Sequence, residues 1–236
     1  MLLGVNIDHV ATLRNARQGN EPSVLEAAKI CEKLSVSGIT THLREDRRHI
    51  LDEDVYAIKQ NISTRLNLEM AMTDEMQRIA LDLKPAACCI VPEKRQEVTT
   101  EGGLDVASQI KHAIEFVKPL NDAGIVVSMF IDADKTQIDA VLETQAPFIE
   151  LHTGAYSEAF GTDLEEEEFA KLYHGAIYAQ KHGLKVNAGH GLNYVNVSRM
   201  HEIPNLIELN IGHSIISRAI FVGLEQAITE MKDLIK

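Results

Sequence analysis

Strand-like and helix-like runs alternate eight times along this chain, and that alternation limits the possible folds more than any other feature. The strand-like runs are residues 2–8, 38–43, 65–70, 86–91, 126–131, 148–152, 185–189 and 206–211. Residues 23–34, 52–62, 74–83, 105–122, 135–144, 163–182, 195–202 and 215–236 carry apolar residues at helical spacing. Strict alternation of this kind calls for parallel strands joined by right-handed crossovers. Eight such units in 236 residues fit an α/β fold, a single (β/α)8 barrel over residues 1–236 with long top-face loops and extra short helices. A doubly wound open sheet is the alternative, but the G-x-G-x-x-G phosphate fingerprint expected after its first strand is absent.

Composition narrows the partners. The net charge of -12 argues against nucleic acid, which needs a basic footprint. It leaves room for small anions, because local arginines and helix N-termini bind phosphate on a globally acidic protein. Apolar runs are short, far from the roughly 20 residues of a membrane span, and Met1-Leu2-Leu3-Gly4-Val5-Asn6 lacks the basic region of a secretory signal. A cytoplasmic protein without membrane contact is expected. Cys31, Cys88 and Cys89 lie in apolar runs, two of them adjacent, so buried reduced thiols are expected in place of a disulfide framework.

Prolines and acidic residues mark the connections. Pro85, Pro147 and Pro204 fall just before strands, where short turns at the barrel bottom belong, while Pro119 inside a helical pattern should kink or split its helix. Thr162 followed by Glu165 reads as a capping box with acidic residues in a first turn. Longer connections follow three strands, at residues 9–22, 44–51 and 92–104. In a barrel these are top-face loops, where active sites are built.

The strand ends carry polar pairs: Asn6 with Asp8, His42 with Arg44, Asn67 with Glu69, Ser128 with Asp132, Glu150 with His152, and Glu208 with Asn210. A single pair is ordinary; six converging on one barrel mouth are costly to desolvate without a function. Along 38–44, alternation puts Thr40, His42 and Arg44 on one face, a proton-transfer group beside a fixed cation suited to phosphate. Two glycine turns follow the last strands, Asn187-Ala188-Gly189-His190-Gly191 and Asn210-Ile211-Gly212-His213-Ser214. Barrels frequently hold phosphate there, and glycine lets the backbone approach a ligand closely. Ten histidines also raise a metal site, with His42, His49, His152, His190 and His213 as candidates. No H-x-H or H-E-x-x-H spacing occurs, so no metal is expected. A Schiff-base lysine is disfavoured too: Lys185 opens its strand, at the barrel bottom, and Lys94 is the other candidate.

At this point a family resemblance is legible. The runs from Gly4 to His9, Thr41 to Ile50, Asn67 to Met70, Val91 to Gly103 and Val186 to Leu192 closely resemble the pyridoxine 5′-phosphate synthase family, and the resemblance extends over essentially the whole chain. The stretch Gln18-Gly19-Asn20-Glu21-Pro22-Ser23 departs from the Gly-Thr and Tyr-Pro-Asp-Pro wording of many members.

The resemblance implies a transferase of vitamin B6 biosynthesis that joins 1-deoxy-D-xylulose 5-phosphate to 3-amino-2-oxopropyl phosphate. The products are pyridoxine 5′-phosphate, phosphate and water, and no cofactor takes part. It implies His42 and Glu69 as proton acceptors and His190 as proton donor. Asn6, Arg17, Gly191, Gly212 and His213 would hold the aminoketone phosphate, while Asp8, His9, Arg44, His49 and Thr99 would hold the deoxyxylulose phosphate. It also implies a homo-octamer built from barrel dimers. Two other readings stand beside it: a catalytically silent barrel that binds a sugar phosphate through Gly191 and Gly212, and a metal-dependent barrel hydrolase. Three proton-transfer groups disfavour the first and the missing ligand spacings the second.

Overall fold

In most of the strand-like runs apolar residues alternate with polar ones, which gives those strands a face for helices and a face for the barrel interior. The computed structural model describes residues 1–93 and 102–236. Its strands are β1 (Leu2–Asn6), β2 (Gly38–His42), β3 (Arg65–Met70), β4 (Ala87–Ile90), β5 (Val126–Ile131), β6 (Phe148–His152), β7 (Lys185–Gly189) and β8 (Glu208–Ile211). They run parallel in sequence order and close into a TIM barrel, with β8 returning to β1 through Leu3 opposite Leu209 and Val5 opposite Ile211. Closure excludes the open doubly wound sheet.

Val5, Ile39, Leu68, Ile90, Met129, Leu151, Val186 and Leu209 point outward and are buried under helices. Those helices are α1 (Asp8–Asn15), α2 (Val24–Lys33), α3 (Asp52–Asn61), α4 (Asp74–Leu83), α5 (Ile110–Asp122), α6 (Lys135–Thr144), α7 (Gly154–Ala159), α8 (Glu165–Lys181), α9 (His213–Val222) and α10 (Leu224–Leu234). Polar side chains start several of them: Ser23 accepts from Glu26 N at 3.2 Å, and Asp134 accepts from Thr136 N and Gln137 N at 2.8 and 3.2 Å. These bonds satisfy N–H groups that the helix itself leaves unpaired. Among the described residues, no helix is long and apolar enough to cross a membrane. Cys31, Cys88 and Cys89 are buried free thiols, and burial pushes Cys31 and Cys88 up to about 12.

The local expectations need four corrections. The expected extra short helices are α1 and α7 on the top face, while the helix expected over 195–202 is a 3₁₀ segment, Val197–Glu202. The last expected helix is two, α9 and α10, separated at Gly223, whose φ of 83° is left-handed. Pro119 leaves α5 unsplit: it falls in the final turn, where buried Phe116, Val117 and Leu120 clamp the helix to the barrel. The expected capping box is displaced, because α8 begins at Glu165 after an N-cap Leu164. Glu165 reaches back to Gly161 N at 2.8 Å, and Glu165 and Glu166 both grip Arg199 at 2.6 Å.

Candidate active site

The barrel interior is polar along its length. Thr40 donates to Asn210 at 3.1 Å, Asn67 to Thr40 at 3.3 Å, and Asn210 to Glu150 at 2.6 Å. Below them, Arg65 pairs with the buried Glu208, which also accepts from Ser37 at 2.6 Å. The bonds compensate desolvation of these groups and leave the reactive residues at the top.

One cluster forms where β1, β2 and β3 end. Asn6 Oδ1 accepts from Asp8 N at 2.9 Å, and Asn6 Nδ2 donates to Asp8 at 2.8 Å and to Glu69 at 3.4 Å. Asp8, buried at the start of α1, accepts from His42 N at 2.8 Å, and His42 stands opposite Glu69 in the β2–β3 register. Burial, with the carboxylates of Asp8 and Glu150 nearby, pushes the Glu69 carboxyl well above its ordinary value against the bond from Asn6. Burial also pushes Glu150 up to about 7. Burial thus moves both carboxyl groups toward the range in which a carboxyl group exchanges a proton near neutral pH.

His42 and His49 face each other with ring centroids 5.9 Å apart. Arg14 forks onto Asp54 at 2.6 and 2.9 Å and donates to His49 O, which also accepts from Asn15, so α1 anchors the loop carrying His49. His49 Nδ1 accepts from Ile50 N at 2.8 Å, so the neutral ring carries its proton on Nε2. Side-chain atoms of Asp8, His42 and His49 lie within 4.8 Å of one another, a juxtaposition that motif spacing does not reveal. The protonated Nε2 makes His49 a donor toward an oxyanion; ligating a cation would require that ring to give up its bond to Ile50.

A second cluster rims β6, β7 and β8. His152 Nδ1 is 2.9 Å from Asp132, and its ring lies 5.2 Å from that of His190. The bond to His152 holds the Asp132 carboxyl below its usual range despite burial, while burial and then His152 bring His190 down to about 4. The neighbouring Gly191 has a φ of 79°, and a Cβ there would stand 2.7 Å from the Ser157 side chain, so the turn requires glycine. Gly212 caps α9, whose first residue His213 packs edge-on against His9 with centroids 4.9 Å apart. Burial, then His213, lowers His9 against the pull of Asp8.

Asn6, Asp8, His9, His42, His49 and Glu69 thus share one side of the mouth, with Gly212 and His213 against Asn6 and His9, while His190 and Gly191 lie with His152 on the other. Arg44, buried just past β2, lies 3.5 Å from Asp46. Arg17 is not brought to the cluster: it is exposed beyond the end of α1, roughly 13 Å along the helix axis from Asp8. Thr99 lies outside the described residues. The divergent stretch supplies Gln18, Gly19, Asn20 and Ser23 to a cavity of about 530 Å³ that no strand-end residue lines. Sequence reasoning gives Asp132 and Glu150 no role beyond strand-end polarity, weighs His152 only as a metal candidate, and passes over Glu93, which bonds the His42 ring. A carboxylate three residues past the end of β4 was the available signal for Glu93.

Residues 3–236 match the family described as pyridoxal phosphate biosynthesis protein PdxJ. A pyridoxine 5′-phosphate synthase of Photobacterium profundum is 58% identical over 98% of this chain and 96% of its own, and one of Aliivibrio fischeri is 57% identical over 98% and 95%. In fold, the chain resembles the crystal structure of KGPDC from Streptococcus mutans, with a TM-score of 0.66 at 14% identity over 99% of this chain and 96% of that one.

Proposed function

The chain belongs to the PdxJ family of pyridoxal phosphate biosynthesis proteins, and from that premise we propose how its strand-end residues work. It is an enzyme of vitamin B6 biosynthesis that forms pyridoxine 5′-phosphate from small phosphorylated substrates. The substrates are 1-deoxy-D-xylulose 5-phosphate and 3-amino-2-oxopropyl phosphate, condensed in a single barrel domain spanning the chain.

The observation that carries the assignment is the linked cluster Asn6, Asp8, His42 and Glu69. A base acting on the joined substrates must sit within hydrogen-bond reach of several carbons in turn, and two proton acceptors adjacent in the β2–β3 register supply that. The amine attacks a ketone, water leaves, an enamine forms, phosphate is eliminated, and the ring closes and aromatises with loss of a second water. His42 and Glu69 accept protons in these steps. His190, neutral while the site is empty, becomes the donor when a phosphate dianion settles beside it at Gly191 and the N-terminus of α9. Asn6, Gly191, Gly212 and His213 hold the aminoketone phosphate; Asp8, His9, Arg44, His49 and Thr99 hold the deoxyxylulose phosphate. Contact between His9 and His213 supports adjacent subsites.

A homo-oligomer, an octamer by family resemblance, would cover the exposed Ile220 and Phe221 at the end of α9 and Leu13 on α1. Arg17 would then act on a neighbouring copy's site. Water-soluble substrates fit a cytoplasmic location.

Incubation of the purified protein with both substrates, with and without exhaustive chelation, tests the reading. Pyridoxine 5′-phosphate should form only when both are present, and chelation should not slow it. Binding of both without product would establish the silent barrel, and loss restored by added metal the metal-dependent one.

A further inference from the structure

We propose that Glu93 positions His42 as a base by fixing its ring and stabilising its protonated form. Glu93 follows β4, which is not a neighbour of β2 in the barrel, so its side chain reaches across the end of β3 to the ring. One carboxylate oxygen lies 2.9 Å from His42 Nε2, and the other accepts from Glu45 N at 3.0 Å. Glu93's side chain is only 5% exposed. Burial pushes that carboxyl up, but the bond and charge of His42, the Glu45 N–H and Arg44 outweigh it and keep it below its ordinary value. An ionised acceptor at Nε2 leaves Nδ1 as the lone-pair nitrogen of neutral His42.

The backbone completes the arrangement. His42 N donates to Asp8, so the ring is held at one end by its main chain and at the other by Glu93. When Nδ1 takes a proton, the positive charge is shared with a carboxylate already in contact, as a buried acid does for the histidine of a hydrolase triad. The other charged or titratable groups facing His42 are Asp8 from α1, Glu69 from β3, and Arg44 and His49 from the connection after β2. Of these the closest acids, Asp8 and Glu69, are tied to the main chain and to Asn6 and do not bond the ring in the described contacts.

This inference rests on His42 being a base of the proposed reaction, and the experiment separates the two ideas. Steady-state kinetics and the pH profile of kcat would be measured for the full-length protein and for E93Q, E93D, H42N and the double variant E93Q/H42N. The expected result for E93Q is a loss in kcat on the order of 10²-fold, little change in KM, and an acidic limb moved to lower pH, because the protonated ring has lost its carboxylate. E93D should recover part of the rate, and E93Q should cost nothing further in the H42N background. ¹⁵N titration of the His42 ring, which does not depend on turnover, should give a midpoint moved to lower pH in E93Q. Unchanged activity in H42N would remove the base assignment itself. A slow H42N with a normal E93Q, or an E93Q slowed with both its pH profile and ring titration unmoved, would overturn the role of Glu93 alone; if E93Q does not fold, E93A takes its place, and an unmoved ring titration in E93A does the same.

Discussion

The Cβ position of Gly212 lies 2.8 Å from both Cβ and Oδ1 of Asn6. Gly212 has an ordinary φ of -127°, so the missing side chain serves proximity and not backbone strain. The reading from sequence, that glycine lets the backbone approach phosphate, is therefore incomplete: the space is taken by Asn6, which also bonds Asp8 and Glu69.

A substitution at Gly212 should accordingly damage both subsites. In G212A the methyl group displaces the Asn6 carboxamide, releasing Asp8 with it, and binding of each substrate measured alone by calorimetry should weaken by about tenfold or more, which is about 1.4 kcal/mol. Selective loss of aminoketone phosphate binding would return the glycine to direct phosphate contact.

Glu69→Gln and His42→Asn keep volume and some hydrogen bonding while removing a proton acceptor. Each should fold with a normal melting curve and lose about 10²–10⁴-fold in kcat. Turnover near wild type in both would take them out of the mechanism.

Stability should carry the signature of Glu150. Its carboxyl is held up to about 7 by burial, with the Glu208 charge adding to it. The neutral form's contribution is present below its ordinary value of 4.5 and is lost as pH rises through about 7. Glu150→Gln cannot ionise, so its melting temperature relative to wild type should climb between those limits, by the equivalent of about 3 kcal/mol. A flat difference across that range would mean that Glu150 titrates normally.

His190 has the opposite sign. Its imidazole is brought down to about 4, so the stability of its neutral form is present above 6.5 and lost as pH falls toward 4. Near pH 7 the empty site holds it neutral, and a phosphate dianion beside it should draw in a proton. Calorimetry of 3-amino-2-oxopropyl phosphate binding in buffers of different ionisation enthalpy should report proton uptake that disappears in H190N. Equal uptake in both proteins would place the proton elsewhere.

The strand pattern, the polar strand ends and the glycine turns are all legible in the chain before any coordinate is known. They are local: alternation follows from the pleat, so residues 38–44 assign His42 to the interior without reference to any neighbour. Helix type and breaks were less legible, because α1 and α7 owe their existence to packing on the barrel rim and lack a long amphipathic pattern.

What the sequence by itself determined is the barrel, its polar mouth and the residues around it. Only the tertiary structure decided which carboxylate meets which histidine. Glu93 and His42 are 51 residues apart, and Asp132 and His152 are 20 apart, joined across strand ends whose relative heights depend on the closed register. The same closure brings His9 against His213 and leaves Arg17 outside. Periodicity along a strand says which way a side chain points; the partner it finds depends on register and stagger summed around all eight strands, and no short stretch of sequence contains that sum.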